Sequence, residues 1–278
     1  MHVLTLQTAS GARRRLVLRR YLAESGDGQD TARLEWRLLA ELRDSPITAP
    51  EPVWADFDGT VLGHPAIVYD FLPGKPLVAP TEIEPWTCQL AKTLAAIHSL
   101  PVRRFGFLPL WDIGRDRWMN TPGLAERHLR EIGIDGRRVV ARLNNGADMS
   151  LSSSSPTFLH WDYWPGNTLW TRGRLTGVVD WAAASIGDFR YDVAYCRMDM
   201  SLFFGAEAAG IFTSAYQDAS GKVLEDMAWW DLFASLRTLP DVGAWGAPYE
   251  DLGKKDVPGS LVAGRLREFV GRALSETP

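Results

Sequence analysis

The sequence predicts an α+β protein of two unequal parts: a small N-terminal antiparallel β-sheet with one helix over residues 1–72, and a larger, mainly helical part over residues 73–278. Three observations carry this expectation. Short apolar runs punctuated by turn residues fill the chain up to Leu72; Pro73-Gly74 and Pro76 then end them; and apolar spacings of three and four take over from Ile83.

Each element can be justified in turn. Val3 to Gln7 and Leu16 to Tyr21 flank Ala9-Ser10-Gly11-Ala12, which reads as a hairpin with a small-residue turn. Arg13 to Arg15 then lie on a strand edge, where a solvated face explains them better than a nucleic-acid or membrane contact. From Asp30 to Arg43 the pattern is helical: Glu35, Leu38, Leu39 and Leu42 share one face, with Asp30 or Thr31 available as a cap. An acid on that apolar face requires a partner. Pro46, Pro50 and Pro52 break the helix, and Val53 to Phe57, an Asp58-Gly59 turn and Ala66 to Leu72 read as further strands. Beyond the proline cluster, Ile83, Trp86, Leu90, Leu94 and Ile97 mark a long helix. Asn144 to Ser155 is polar and serine-rich and reads as a surface loop, while Ser201–Tyr216, Leu224–Leu236 and Leu261–Leu274 read as three closing helices.

Composition narrows the function classes. Of 278 residues, 46% are hydrophobic and 23% charged, enough for a sizeable core. The 30 Lys and Arg against 34 Asp and Glu give a net charge of -4, which argues against a nucleic-acid partner. Cys88 and Cys196 form no C-x-x-C pair and read as free, buried thiols of a reducing compartment. No basic leader with an apolar core and no run of about 18 apolar residues occurs, so a cytoplasmic protein without membrane contact is expected. The sequence carries no signal for an oligomeric state.

The chemistry concentrates between Phe158 and Asp180. Thr168–Trp170 and Leu175–Val179 are apolar strands joined by a turn-like segment, and in such a hairpin the entry of the first strand and the exit of the second lie side by side. Asn167 stands at the entry and Asp180 at the exit, a pair of hard oxygen donors suited to Mg²⁺ holding nucleotide phosphates. Asp162, in the preceding loop, is then placed to orient a hydroxyl and accept its proton. Asp, Asn and Gly in a short loop also make ordinary tight turns. It is the second carboxylate, after an apolar hairpin, that makes H-x-D-x-x-x-x-N followed by Asp180-Trp181 a composite signal.

This stretch resembles the catalytic and metal-binding segments of the aminoglycoside phosphotransferase family, the kinase-like group that also includes choline, homoserine and macrolide kinases. The resemblance implies a bilobal protein-kinase-like fold and an ATP- and Mg²⁺-dependent transfer to a hydroxyl of a small molecule. It implies Asp162 as catalytic base and Asn167 and Asp180 as Mg²⁺ ligands. Gly187-Asp188-Phe189-Arg190-Tyr191-Asp192-Val193-Ala194 is similar to the family's Gly-Asp-Pro-x-x-Asp-Leu-Ala, whose acids would brace the catalytic loop and cap a helix. Leu16-Val17-Leu18-Arg19 is similar to the strand whose basic residue contacts the ATP phosphates, which makes Glu35 the acid that holds Arg19. Ile67 to Gly74 is similar to the inter-lobe hinge, where backbone groups around Tyr69 and Phe71 would hydrogen-bond adenine. His98, in the first large-lobe helix, reads as a satisfied structural histidine.

Three departures stand out. Barely fifteen residues precede Leu16, short of the usual phosphate cover, so either the chain is truncated or its nucleotide site is unusually open; Arg19 stands for the lysine of many kinases; and Trp161 stands where glycine is usual, either narrowing the acceptor site or packing beneath the loop. The acceptor is not legible. Trp111, Trp118, Trp164, Trp229, Trp230 and Trp245 suit a pocket or, more commonly, a core, and no clear acidic cluster for a polycationic aminoglycoside is evident. Macrolides, sugars and amino alcohols all stay open. The rival reading is a catalytically weak pseudokinase acting as a nucleotide-binding or interaction module.

Overall fold

The computed structural model describes residues 1–7, 11–22, 28–111, 117–151 and 155–276. Strands β1 (His2–Gln7) and β2 (Arg13–Arg20) pair antiparallel, with Val3 opposite Val17. Part of the turn expected between them, at residues 8–10, lies outside the described residues. After helix α1 (Gly28–Leu42), strands β3 (Pro52–Asp56) and β4 (Ala66–Asp70) complete a four-stranded sheet in the order β1-β2-β4-β3. The turn after β3 is closed by the Asp56 carboxylate, which accepts the amides of Thr60, Val61 and Leu62 at 2.8–3.0 Å. Helix α1 buries Leu38, Leu39, Leu42 and Glu35, as the periodicity requires. It begins at Gly28, so Asp30 is not a cap but an acid inside the first turn, where it complements the helix dipole. The arginine run is a solvent face: Arg14 makes a bidentate pair with Asp70 at 2.8 and 2.9 Å, and Arg15 lies 3.5 Å over the Phe71 ring.

Helix α2 (Ile83–His98) buries Trp86, Leu90, Leu94 and Ile97. Helices α3 (Arg117–Asn120), α4 (Pro122–Glu131) and α5 (Gly136–Leu151) follow. The loop expected over Asn144–Ser155 is corrected here. Helix α5 runs through Asn144-Asn145-Gly146 to Leu151, because Val139, Val140 and Leu143 are buried against the core and tertiary packing outweighs the poor helix propensity of Asn and Gly. Residues 152–154 lie outside the described residues.

Strand β5 (Thr157–Leu159) pairs with β8 (Ser185–Gly187), and between them β6 (Thr168–Thr171) and β7 (Arg174–Val178) form the expected hairpin. Helices α6 (Arg190–Phe204), α7 (Ala206–Ser220), α8 (Met227–Ser235), α9 (Ala247–Asp251) and α10 (Gly259–Glu276) close the molecule. The single helix expected over Ser201–Tyr216 is in fact the end of α6 and most of α7, broken at Gly205, whose φ of +96° is open to glycine alone at little cost. Nearly every residue of α6 is buried, so it shows no amphipathic period from which its start could be read.

The hairpin is clamped to the segments on either side of the β3–β4 pair. Lys75 and Trp170 exchange backbone bonds at 2.9 and 3.2 Å, and Val178 donates to the Thr48 carbonyl at 2.9 Å. Gly74 permits the first contact: its φ is +128°, and a Cβ there would stand 3.1 Å from the Trp170 carbonyl oxygen. Both cysteines are free, Cys196 buried and Cys88 half-buried. Among the described residues no helix is long and apolar enough to cross a membrane.

Candidate active site

The β6–β7 hairpin does what the sequence asked of it. Val179 donates its amide to the Asn167 carbonyl at 2.9 Å, so Asn167 and Asp180 emerge side by side. The loop before β6 hangs from helix α6: the Asp192 carboxylate accepts the amides of His160 (2.8 Å) and Trp161 (2.9 Å). Two successive N–H groups converging on one anion form a backbone nest, which uses a left-handed residue, and Trp161 has φ +73°. That conformation favours glycine; here the indole offsets its strain by stacking on Tyr191, with ring centres 4.1 Å apart, and by meeting Trp111 edge-on. Of the two roles expected for Trp161, packing is the one its contacts describe.

His160 is buried, and burial pushes its pKa down despite the Asp192 and Asp162 charges nearby, so the ring is neutral and Nε2 donates to the Val179 carbonyl at 3.0 Å. His98 is held by Tyr216 (2.8 Å) and Asp192 (3.2 Å), the structural role expected of it. Asp188 accepts the Arg190 amide at 2.9 Å and the Arg190 guanidinium at 2.7 and 3.0 Å, which anchors the start of α6.

Asp162 is fixed at both oxygens. Oδ1 accepts the Tyr195 hydroxyl at 2.8 Å and Oδ2 accepts Asn167 Nδ2 at 2.9 Å, while the same Nδ2 also donates to the Asp162 carbonyl at 2.8 Å. With its NH₂ group committed to two acceptors, the Asn167 amide cannot be flipped, and Oδ1 is the atom it offers to a cation. Asp180, at φ +64°, accepts Arg19 Nη1 at 2.6 Å. Arg19 also reaches Glu35 at 3.3 Å, and Glu35 accepts the Tyr21 hydroxyl at 2.5 Å. Burial opposes the Arg19 charge, but Glu35 and Asp180 outweigh it and raise its pKa; burial also pushes Glu35 up, against the pull of Arg19 and Tyr21. The Arg19–Glu35 pair was legible from the sequence. The bond from Arg19 to Asp180, which joins β2 to the exit of the β6–β7 hairpin, was not.

The donor set fits a hard divalent cation. Asn167 Oδ1 and the Asp180 carboxylate are two oxygens on one rim, Asp180 keeps a third of its side chain exposed, and Arg19 shows that the position attracts positive charge. Among the described residues no group of three or more His, Cys, Asp or Glu could hold a metal, so phosphate oxygens and water would complete the shell, as is usual for Mg²⁺.

Tyr69 and Phe71, expected at the hinge, are placed differently from that centre. Tyr69 is buried in the middle of the sheet, opposite Val17 and Pro52, with its hydroxyl 3.3 Å from the Met1 sulfur. The Phe71 amide already donates to the Arg15 carbonyl at 3.2 Å and that of Asp70 to the Glu51 carbonyl at 2.9 Å, which leaves those two donors engaged within the sheet.

Next to Asp162 opens a cavity of about 260 Å³, lined also by Trp164, Tyr195, Asp199, Trp245 and Tyr249. Of the six tryptophans considered above, Trp164 and Trp245 line this pocket, whereas Trp118, Trp229 and Trp230 are core. Asp199 escaped sequence reasoning. Its only signal was the one that exposed Glu35, an acid within an apolar helical run. A cavity of about 440 Å³ near Trp86 and Trp170 contains none of the candidate catalytic residues.

Comparison with known proteins follows the same lines. The family model for the phosphotransferase enzyme family (APH) matches residues 4–233. The chain belongs to that family. Within it, the chain is 29% identical over 173 residues to a homoserine kinase of Mesorhizobium japonicum, covering 57% of this chain and 50% of that protein. To a homoserine kinase of Gluconacetobacter diazotrophicus it is 30% identical over 184 residues, covering 60% and 54%. The chain thus spans about half the length of the curated relatives it matches. Among solved structures of the family's fold, macrolide 2′-phosphotransferase type I superposes with a TM-score of 0.62 at 20% identity, over 99% of this chain and 86% of that one. A streptomycin–ATP ternary complex of APH(2″)-IIa superposes with a TM-score of 0.58 at 17% identity, over 86% and 84%. These likenesses establish the fold as the bilobal, protein-kinase-like α+β arrangement.

Proposed function

We propose that the protein transfers the γ-phosphate of ATP, with Mg²⁺, to a hydroxyl of a small molecule. The observation that carries the reading is a pair of contact chains, Glu35–Arg19–Asp180 and Asn167–Asp162–Tyr195, whose ends Asp180 and Asn167 the backbone bond of Val179 to Asn167 brings side by side. Family membership and the homoserine kinases it resembles support it. The lobes meet at residues 72 and 73, with adenine held by backbone groups of the hinge beyond Phe71 and the triphosphate directed toward Arg19.

Each residue then has a task. Arg19, held by Glu35, exchanges its bond with Asp180 for one with the phosphates. Asn167 and Asp180 supply oxygens for Mg²⁺, which when bound neutralises charge on the β- and γ-phosphates. Asp162 orients the acceptor hydroxyl and takes its proton as the new O–P bond forms and the bond from the γ-phosphorus to the bridging oxygen breaks, releasing ADP. Positioning and charge neutralisation supply most of the rate. All three of Asp162, Asn167 and Asp180 are in place, which favours an enzyme over the pseudokinase alternative.

The test is the melting temperature with and without Mg²⁺-ATP. A ligand present at 100 times its dissociation constant adds about 2.7 kcal/mol to stability. The parent chain is expected to show such a rise only with Mg²⁺, and Asp180→Ala to lose it; a variant that keeps a Mg²⁺-dependent rise would remove Asp180 from the metal site.

A second prediction concerns Gly166. A Cβ there would stand 2.1–2.5 Å from the Trp164 indole, so Gly166→Ala must move that ring out of the pocket wall. We expect KM for the acceptor to rise by about threefold to thirtyfold, with ATP affinity unchanged. An unchanged acceptor KM would show that Trp164 is not part of the acceptor wall.

A further inference from the structure

Resting on the kinase reading, we propose that Tyr195 is a positioning residue for the catalytic base: its hydroxyl, set by an aromatic stack, holds the Asp162 carboxylate in the orientation that phosphoryl transfer requires.

Asp162 needs such a hold. The terminal torsion of an aspartate is broad, so a carboxylate in a loop turns readily unless both of its oxygens are engaged. Asp162 is half-buried beside a cavity, and Asn167 holds only Oδ2. Among the described residues, Oδ1 is held by Tyr195 alone, at 2.8 Å. The two bonds use about half of the carboxylate's lone-pair positions and leave the rest for the proton of the acceptor. Burial, with the charges of Asp162 and Asp199, pushes the Tyr195 pKa well above its ordinary value, so the hydroxyl stays protonated and donates. The acceptor's proton goes to Asp162, and that of Tyr195 stays in place.

Helix α6 grips the catalytic loop twice. Residues 192 and 195 are three apart and therefore neighbours on the helix surface. Asp192 accepts the amides of His160 and Trp161, the two residues before Asp162, while Tyr195 donates to the Asp162 side chain. Backbone and carboxylate are thus fixed to one rigid element, the condition for accurate placement of a reacting group.

The ring of Tyr195 is itself fixed. It lies nearly parallel to Tyr191, one turn earlier, with ring centres 6.1 Å apart, and Tyr191 in turn stacks on Trp161 at 4.1 Å. Trp245 meets it edge-on at 6.1 Å. Trp161, in its left-handed conformation, thereby heads a column whose other end carries the hydroxyl bound to the very next residue, Asp162. A buried tyrosine hydroxyl takes a partner wherever packing puts one. Here the column is tied to the loop at both ends, so the stack and the base cannot shift independently.

The experiment uses Tyr195→Phe, which keeps the ring and its stacking and removes the hydroxyl. ADP formation from Mg²⁺-ATP is measured with water alone and with glycerol added as hydroxyl acceptors, in the parent chain, Tyr195→Phe, Asp162→Asn and the double variant. Tyr195→Phe is expected to lower kcat by about fivefold to fiftyfold, with KM for ATP within about twofold and the Mg²⁺-ATP melting shift kept. In the Asp162→Asn background the same change should alter the rate by less than about twofold, because no base is left to orient. A parental kcat in Tyr195→Phe overturns the proposal. So does an equal fold-loss in both backgrounds, the mark of a structural contribution that does not pass through Asp162. Loss of the melting shift in Tyr195→Phe would overturn it as well, since the damage then reaches the nucleotide site. A parent chain without any Asp162-dependent ADP formation would instead strike the kinase reading.

Discussion

Asp162→Asn is expected to lower kcat for phosphoryl transfer by roughly 10²- to 10⁴-fold, the usual worth of a positioned general base, while leaving ATP affinity within about twofold. The hydrogen bonds around Asp162 make this a clean substitution. Asn167 Nδ2 can only donate, so an asparagine at 162 must turn its carbonyl oxygen toward it. Its new NH₂ group then faces the Tyr195 hydroxyl, which rotates from donor to acceptor. The geometry survives and only the proton-accepting capacity is lost. Initial rates of ADP formation with a panel of hydroxyl acceptors check this, and transfer at the parental rate would refute the assignment of Asp162 as base.

The largest stability effect is expected at Asp192. Its carboxylate, fully buried, serves the amides of His160 and Trp161 and faces His98 Nε2. Asp192→Ala leaves buried donors without an acceptor, at about 1–3 kcal/mol each, and should lower unfolding free energy by about 3–5 kcal/mol. Against a typical total of about 5–15 kcal/mol, that is a large fraction. Asp192→Asn keeps one acceptor oxygen and should recover part of the loss. The midpoint of urea unfolding measures both; a loss below about 1 kcal/mol for the alanine variant would mean that water replaces the carboxylate. Because the catalytic loop hangs from this side chain, the alanine variant should also lose activity under conditions where it is still folded.

The sequence by itself determined the local elements with a clear period and the site elements close together along the chain. The sheet strands, α1, α2 and the β6–β7 hairpin followed from apolar spacing and turn residues. The hairpin alone brought Asn167 beside Asp180, since antiparallel pairing makes chain entry and exit neighbours. Glu35 announced a partner because a buried acid cannot stay unpaired, and the partner is Arg19. Tertiary structure decided what depends on distant segments. The helical course of 144–151 rests on burial of Val139, Val140 and Leu143, contacts that no local propensity records. Helix α6, buried on all sides, has no polar face to reveal its period, and so concealed Asp199 and Tyr195. The bond of Arg19 to Asp180 spans 161 positions, and the pocket beside Asp162 joins residues 162 to 249. Such meetings are fixed by how helices pack on one another, and packing is a property of the whole core rather than of any window of sequence.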